Sequence, residues 1–238
     1  EERNDIQRIV SFLDRIAKEK IEPFIDKSYQ ALAEMMSAYD QKMQMKREVI
    51  ADKGIWTAKK RYILNAWDVE GVRYKEPSLK MLGIESVKSS TPARVRVKIK
   101  ESLKIIMSGS EKELNDFLIT FRDEFNKLPP EEIAYPRSCN GLKKFGSVSS
   151  IYTKGTPIHT RGALVYNHLI KDKKLTNKYQ LIQEGDKIKF LELRQPNPLG
   201  SNVISFIGKF PKELDIQRFI DYDTMYEKSF IDPLSFIT

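Results

Sequence analysis

The chain opens with a helical pattern of hydrophobic residues. Apolar side chains recur every three or four positions with charges between them, at Ile6, Ile9, Val10, Leu13, Ile16 and Ala17. This spacing predicts an amphipathic helix. Pro23 then interrupts the pattern and predicts the start of a second helix, because proline is tolerated at the first helical position. We expect the core face of that helix to comprise Phe24, Ile25, Tyr29, Leu32, Met35 and Met36.

Alternating apolar and polar positions follow and predict strands at 47–50 and 55–67. In the longer strand, the alternation groups Lys60 with Trp56, Ala58, Tyr62 and Leu64, and places Lys59, Arg61, Ile63 and Asn65 on the opposite face. Two interpretations of Lys60 are equally supported. Its stem packs against apolar neighbours while its ammonium reaches water, or the ammonium points into a groove of a bound partner. Residues 68–71 predict a hairpin turn that leads into 72–74.

The next segment fits two patterns. Residues 94–100 alternate like a strand, yet Val95, Ile99, Leu103 and Ile106 also form a helical stripe. Thr91 as N-cap, followed by Pro92, favours a helix. Residues 108–109 end it, and 110–113 predict a capping box that opens another helix, which stops at 129–130.

The remaining pattern predicts an irregular segment at 131–157, a helix at 161–170 and a strand pair at 179–182 and 187–193. A loop at 195–200 and a helical stretch at 212–230 follow. The fold class is therefore α+β. The clearest change of composition lies near 88–92, and it predicts a boundary between two domains.

Charge changes this picture. The chain has 238 residues, with 41 Lys and Arg against 33 Asp and Glu, a formal net charge of +8. Such a balance favours an anionic partner, most often nucleic acid. The single cysteine, Cys139, excludes an internal disulfide framework and a cysteine metal cage, and it suits a reducing compartment. No stretch has the roughly 20 apolar residues of a membrane span. Because neither end has a start or signal feature, we expect both to lie within a longer polypeptide.

Catalytic motifs are not found in the sequence. The two histidines, His159 and His168, have no matching ligand spacing for zinc. There is no phosphate-binding glycine loop, nucleophile elbow or kinase signature. The carboxylates in the first third of the chain, Glu48 among them, are better explained as surface or ion-paired groups than as catalytic pairs.

Cations near turns and helix starts are the remaining signal: Lys59, Lys60, Arg61, Lys88, Lys154, Arg161, Arg194 and Lys228. The predicted helix start at Ser89, Ser90 and Thr91 also offers backbone N–H groups to a phosphate. Phosphate contacts position a duplex without reading its sequence, and a lysine in the minor groove can reach acceptors that every base pair presents. Taken singly, most of these cations are better explained as solvated charges. Together they favour a protein that holds any duplex.

The run Lys59-Lys60-Arg61-Tyr62, with Ile63-Leu64-Asn65 and Trp67-Asp68 after it, resembles the lysine-tyrosine motif of family B replicative DNA polymerases of T-even-type bacteriophages. The similarity continues in order through Glu76-Pro77, Gly83-Ile84-Glu85, Ser89-Ser90-Thr91-Pro92, His159, Arg161-Gly162, Tyr166-Asn167, Leu193-Arg194, Asn197-Pro198 and Glu227-Lys228. It is weakest from 131 to 156. Collinear matches over this length are more specific than any one motif.

The resemblance implies that residues 1–88 are the C-terminal part of a palm domain, with two helices and antiparallel strands. Residues 89–238 would be a mainly helical thumb with a small β-hairpin subdomain. Lys60 would contact the minor-groove edge near the primer terminus, supported by Lys59, Arg61 and Tyr62. Lys88 would lie at the palm–thumb junction, and Arg161, Arg194 and Lys228 near the primer and template backbones. Glu48 matches an acidic residue near the family's metal site.

The family's two aspartate-bearing catalytic motifs, which hold magnesium ions, are absent from this sequence. We therefore expect a DNA-directed DNA polymerase segment that binds primer–template duplex and does not catalyse alone. Its partners would be the rest of the polymerase (exonuclease, fingers and catalytic palm) and a sliding clamp, through a C-terminal peptide beyond Thr238. It would act in the cytoplasm of an infected bacterium. The alternative is a stand-alone nucleic-acid-binding or assembly protein derived from a polymerase.

Overall fold

The computed structural model describes residues 2–146 and 150–237, with side chains from residue 5 onwards. The chain divides into two compact units, Glu1–Leu82 and Gly83–Thr238. The sequence placed the domain boundary at residue 88, a few residues later. The assignment of these units to palm and thumb stays a prediction. Both units combine helices with an antiparallel sheet, so the predicted α+β class is confirmed.

The first unit begins with two helices that run into each other. Helix α1 spans Glu2–Ile16, a π-helical turn spans Ala17–Ile21, and α2 spans Glu22–Met35. Pro23 sits in the first turn of α2, where its missing N–H is harmless, so it does not break the helical path. Val10 of α1 packs against Ile50 and Trp67 of the sheet.

The prediction that the apolar face of α2 lies in a core is wrong for this unit, because α2 contains no buried residue. Phe24 is 71% exposed and Met35 is 77% exposed. Helical periodicity identifies which side of a helix is apolar. Burial also requires a second surface, and the described part of this unit does not bury that side.

Three antiparallel strands complete the unit, in the order β1 (Val49–Ala58), β2 (Arg61–Val69) and β3 (Val72–Leu82). The turn predicted at 68–71 is confirmed, with Glu70 and Gly71 at φ of +52° and +87°. The single strand predicted at 55–67 is wrong. It is a hairpin that turns at Lys59 and Lys60, and Trp56 pairs with Tyr62 across it.

The reason for this error lies in the turn itself. Tight hairpin turns usually carry Gly, Asn or Asp where φ is positive. Here Lys60 adopts the left-handed conformation, at φ of +61°, and no such residue marks the turn. The alternation of β1 also runs smoothly into that of β2. Lys60 therefore does not share a strand face with Trp56 and Tyr62.

A buried carboxylate joins the elements of this unit. Asp68, on β2, is 1% exposed and accepts hydrogen bonds from Arg47 Nη1 at 2.6 Å, the Gly71 N–H at 2.9 Å and Arg73 Nε at 3.3 Å. Arg47 reaches in turn to Asp14 of α1, at 2.6 Å. Charged groups at such depth are tolerated when paired and hydrogen-bonded. This network fixes α1 to the sheet and closes the second hairpin.

The second unit begins with two helices, α3 (Ala93–Ser108) and α4 (Glu111–Phe125). The helix predicted from the ambiguous pattern is confirmed, but its N-cap is Pro92 and not Thr91, and no side chain caps it. The predicted capping box is confirmed. Ser110 Oγ accepts from the Glu113 N–H, and the Glu113 carboxylate accepts from the Ser110 N–H.

The C-terminal part of this unit is less regular than predicted. Instead of a helical stretch at 212–230, it has 3₁₀ turns at Lys212–Leu214 and Gln217–Phe219. Short helical segments follow, comprising a helix at Tyr222–Tyr226, a π-helical turn at Glu227–Ile231 and a helix at Asp232–Ser235. Tyr226 and Phe230 pack against Phe121 and Phe125 of α4, with ring centroids 4.7–5.9 Å apart.

The second sheet has the order β4 (Tyr135–Ser138), β5 (Lys187–Glu192) and β6 (Val203–Phe206). β5 was predicted, but its predicted partner at 179–182 is not a strand. Asn167 donates to the Ile182 carbonyl and accepts from its N–H, both at 2.8 Å, and so occupies the groups that a strand would pair. The partners are β4, from a segment predicted to be irregular, and β6.

The segment 131–157 contains short helices at Pro130–Ile133 and Leu142–Phe145 besides β4. We number these two short helices α5 and α6. The helix predicted at 161–170 is confirmed and is part of α7, which spans Ile158–Asp172. α7 packs closely on β6 at Gly162. A Cβ added there would lie 2.5 Å from Ser205 Oγ and 2.8 Å from Ser205 N.

No helix in the described ranges is both long enough and apolar enough to cross a bilayer.

We predict that Gly162→Ala destabilises the protein by about 1–3 kcal/mol, because the new methyl group must push α7 away from the β6 backbone. Helix propensity alone acts in the opposite direction, since alanine is favoured over glycine within a helix. Urea unfolding measures the difference, with His168→Ala, an exposed position of the same helix, as control. A more stable Gly162→Ala protein would contradict the close packing.

We predict that the Asp68 network makes stability fall in acid. Burial would raise the pKa of Asp68, but Arg47 and the Gly71 N–H outweigh it and lower the pKa. Hydrogen bonds from Lys18 and Arg47 lower the pKa of Asp14. A depressed carboxyl pKa contributes stability above the unfolded-state pKa of about 3.9, and this stability is lost as pH falls through the folded-state value.

The measurement is urea unfolding of wild type and Asp68→Asn at pH 7 and pH 3. Removing one partner of a buried pair costs about 3 kcal/mol, so we expect that deficit at pH 7 and a smaller one at pH 3. Asp26→Asn, at an exposed position of α2, serves as control. Equal deficits at the two pH values would show that Asp68 is not the titrating group.

Candidate nucleic-acid interface

The β1–β2 hairpin concentrates positive charge at its turn. Lys59 and Lys60 occupy the turn and are exposed, and Arg61 begins β2 half-buried. No salt bridge within the described ranges involves Lys59 or Lys60. Two adjacent ammonium groups on a tight turn repel each other, and an anion between them relieves the repulsion. The turn is therefore suited to a phosphate.

Aromatic residues stand immediately behind this turn. Tyr62 is half-buried on β2, and its cross-strand partner on β1, Trp56, is 69% exposed. Directly opposed side chains in an antiparallel pair lie close enough to interact. The hairpin thus presents a cationic end and an aromatic flank, a combination that suits nucleic acid because phosphates and bases are bound by different groups.

The predicted binding residues before α3 are one cation, Lys88, and three hydroxyl residues, Ser89, Ser90 and Thr91. Lys88 Nζ donates to Glu85 Oε1 at 2.7 Å. Ser89 is exposed, the Ser90 carbonyl accepts from Arg137 Nη1 at 2.9 Å, and Thr91 is only 7% exposed. Because the N-cap is Pro92, the free N–H groups of this helix start later than the sequence suggested.

Three predicted cations converge at the C-terminal end of β5. Arg194 lies two residues beyond that end, and Lys228 Nζ reaches back to the Glu192 carboxylate at 2.8 Å. Arg161, in the first turn of α7, donates to Asn202 Oδ1 at 2.6 Å. The Asn202 carbonyl accepts from the Leu193 N–H at 2.9 Å, so Asn202 is tied to the same strand end. Lys154 lies elsewhere, in an exposed turn before α7.

Carboxylates of the same unit neutralise much of this charge. Arg194 pairs with Asp223 Oδ2 at 3.3 Å and with Asp221 Oδ1 at 3.8 Å. Asp223 also pairs with Arg122 at 3.2 Å. Exposed pairs of this kind are weak, so their cations can exchange a carboxylate for another anion. Sequence reasoning missed Arg122 and Arg137, and it missed the partners Asp221, Asp223 and Glu192, which lie 27 or more residues from the cations that they pair with.

Glu48, predicted near a metal site, is exposed and ion-paired with Lys80 of β3. Burial would lower the pKa of Lys80, but the hydrogen bond to Glu48 outweighs it and raises the pKa. Glu48 lines a surface hollow with Lys18, Glu22, Lys46, Arg47 and Glu70. Within the described ranges, no group of three or more His, Cys, Asp or Glu residues could hold a metal ion. Glu48 is already paired with Lys80, and the hollow beside it is lined by the cations Lys18, Lys46 and Arg47, so these side chains by themselves do not fit a magnesium ion.

The chain thus combines an α+β architecture with a basic hairpin that presents an exposed turn. Comparison with known proteins finds two similar phage polymerases. The chain is 38% identical to the DNA-directed DNA polymerase of Escherichia phage RB69 and 34% identical to that of Enterobacteria phage T4, in each case over 98% of its length. The resemblance inferred from the motifs is thereby confirmed.

The matched regions are C-terminal portions of these two polymerases. The chain spans only 27% and 26% of their lengths, about a quarter of each relative. No protein-family model matches the chain.

Proposed function

We propose that this chain is the palm-end and thumb segment of a phage-type DNA-directed DNA polymerase and that it holds primer–template duplex during 5′–3′ synthesis. The observation that carries the proposal is the exposed Lys59–Lys60 turn, in a chain whose length is matched almost throughout by two DNA polymerases. Tyr62, behind the turn, would support the same strand of the duplex.

The chemistry of the interface suits sequence-independent binding. Lysine and arginine contacts to phosphates position a duplex, and they carry no base information. Lys59 and Lys60 would supply this attraction in the first unit. In the second unit, the three cations near the end of β5 would contact the backbone of one DNA strand: Arg161, Arg194 and Lys228. Lys88, in the loop before α3, and Lys154, in the turn before α7, would add contacts of their own. A polymerase segment needs to bind without sequence preference, because it must hold every sequence that is copied.

The reaction itself would be completed outside this chain. The two aspartate-bearing catalytic motifs are absent from this sequence, so the metal-binding aspartates are expected from the rest of the polymerase, which is the proposed protein partner. Glu48 would stand near that metal site without being a principal ligand. We infer that the assembly acts in the cytoplasm of the infected bacterium, and that a sliding clamp is a further partner.

We predict that replacing Lys59 and Lys60 together with alanine weakens duplex binding by about 1 kcal/mol per lysine. Loss of two positive charges at the duplex, one on a phosphate and one at the minor-groove edge, should also reduce the slope of log K against log salt by roughly two. Fluorescence anisotropy of a recessed primer–template across a salt series measures both effects.

The matched control is Lys20→Ala with Lys27→Ala, which removes the same charge from exposed helix positions of the same unit. Equal losses in the two double variants would mean that only net charge matters and that the hairpin is not a binding element. Thermal unfolding of both variants verifies that each remains folded.

We predict that Asp223→Asn strengthens duplex binding, because it releases Arg122 and Arg194 from their shared carboxylate. Surface pairs are worth up to about 1 kcal/mol, so the gain should not exceed roughly fivefold, with a steeper salt slope. The control is Asp172→Asn, which makes the same charge change at the exposed end of α7. If both variants bind alike, Arg194 does not face the duplex.

A further inference from the structure

The chain has two tryptophans in opposite environments. Trp67 is 6% exposed and packs with Val10 and Ile50, whereas Trp56 is 69% exposed on β1. Tryptophan is usually well buried, and an indole presented to water is characteristic of a binding surface. None of the polymerase-like roles considered above uses Trp56.

The backbone provides a seat for this indole. Gly54 lies two residues before Trp56, on the same face of β1. A Cβ added to Gly54 would lie 2.7 Å from Cη2 and from Cζ3 of Trp56, and also 2.7 Å from Cδ2 of Leu64. The indole therefore lies along the strand, over the glycine and beside Leu64. Any larger residue at position 54 would displace it.

The indole of Trp56 lies near the cationic turn of the same hairpin. Lys59 is three residues beyond Trp56, and a strand rises by about 3.3 Å per residue, so the two are separated by roughly 10 Å. Successive nucleotides of one strand are about 3.4 Å apart along a duplex axis. A single DNA strand can therefore contact the lysines through its phosphates and reach the indole within about three nucleotides.

We propose that Trp56, seated on Gly54, is a stacking platform for an unpaired base next to the duplex end held by Lys59 and Lys60. Inside a duplex the face of each base is covered by its neighbours, and only the edges are accessible in the grooves. A flat aromatic surface can instead stack on a base of a single-stranded overhang. The inference rests on the proposed duplex binding, and it adds a preference for junctions over blunt ends.

The experiment uses Trp56 as its own reporter. Trp67→Phe leaves one tryptophan, and this change removes no hydrogen bond because Trp67 Nε1 is buried without a partner. Two hairpin DNAs with the same duplex are compared, one blunt and one with a five-nucleotide overhang. We expect the overhang DNA to quench Trp56 fluorescence strongly and the blunt DNA to quench it weakly.

Binding measurements with variants provide the second readout, in the wild-type background so that they do not depend on Trp67→Phe. Trp56→Ala should weaken binding of the overhang DNA by about tenfold and leave blunt binding unchanged. Trp56→Phe should retain part of the affinity, and Gly54→Ala should reproduce part of the loss by moving the ring. Phe24→Ala, at another exposed aromatic of the unit, is the matched control.

Four outcomes would overturn the inference. If Trp56→Ala binds both DNAs as wild type does, while the Lys59 and Lys60 double variant loses affinity, the platform is wrong and the proposed duplex binding stands. Equal loss on blunt and overhang DNA would assign Trp56 to the duplex or to folding, and unchanged Trp56 fluorescence with both DNAs would show that no base stacks on the indole. Failure of the wild-type chain to bind either DNA would overturn both proposals.

Discussion

The buried carboxylate of Asp68 is the interaction on which the first unit depends. Its oxygens hold Arg47, which precedes β1, and Arg73, which lies on β3, and they also accept the Gly71 N–H that closes the turn between β2 and β3. Through Arg47 the same network reaches Asp14 of α1. The hydrophobic cluster on this side is small, formed by Val10, Ile50 and Trp67 with Ile6 at its edge. The sheet that presents the Lys59–Lys60 turn is therefore joined to α1 by a buried charge network as well as by apolar packing.

The sequence predicted the elements of the chain better than their ends. Helical periodicity identified α1, α2, α3 and α4 because it depends only on residues within each helix. The β1–β2 turn was missed because Lys60 carries the positive φ that a glycine would have signalled. The second sheet was paired wrongly for a different reason. Asn167 takes the backbone groups of Ile182, and this contact joins positions 15 residues apart, so no local pattern reveals it.

The candidate site could also be predicted from the sequence only in part. Which residues are cationic could be read from the sequence, and so could their resemblance to a polymerase motif. Their partners could not, because Arg194 meets Asp223 and Lys228 meets Glu192 only after the C-terminal segments have packed against β5. A cation that is already paired offers less to a ligand than a solvated one, since a new anion must displace the old. Residue type alone therefore does not distinguish the paired cations of the second unit from the solvated ones of the hairpin.

This difference suggests two tasks for the cations under the proposed function. Lys59 and Lys60 lie on an exposed turn without ion pairs in the described ranges, so a phosphate that meets them adds attraction and releases counterions. Arg194 and Lys228 would exchange one carboxylate for one phosphate, which changes the net attraction little. They are held in place before DNA arrives, however, and a preorganised group loses less freedom on binding. On this view the hairpin supplies affinity, and the paired cations supply the register in which the duplex is held.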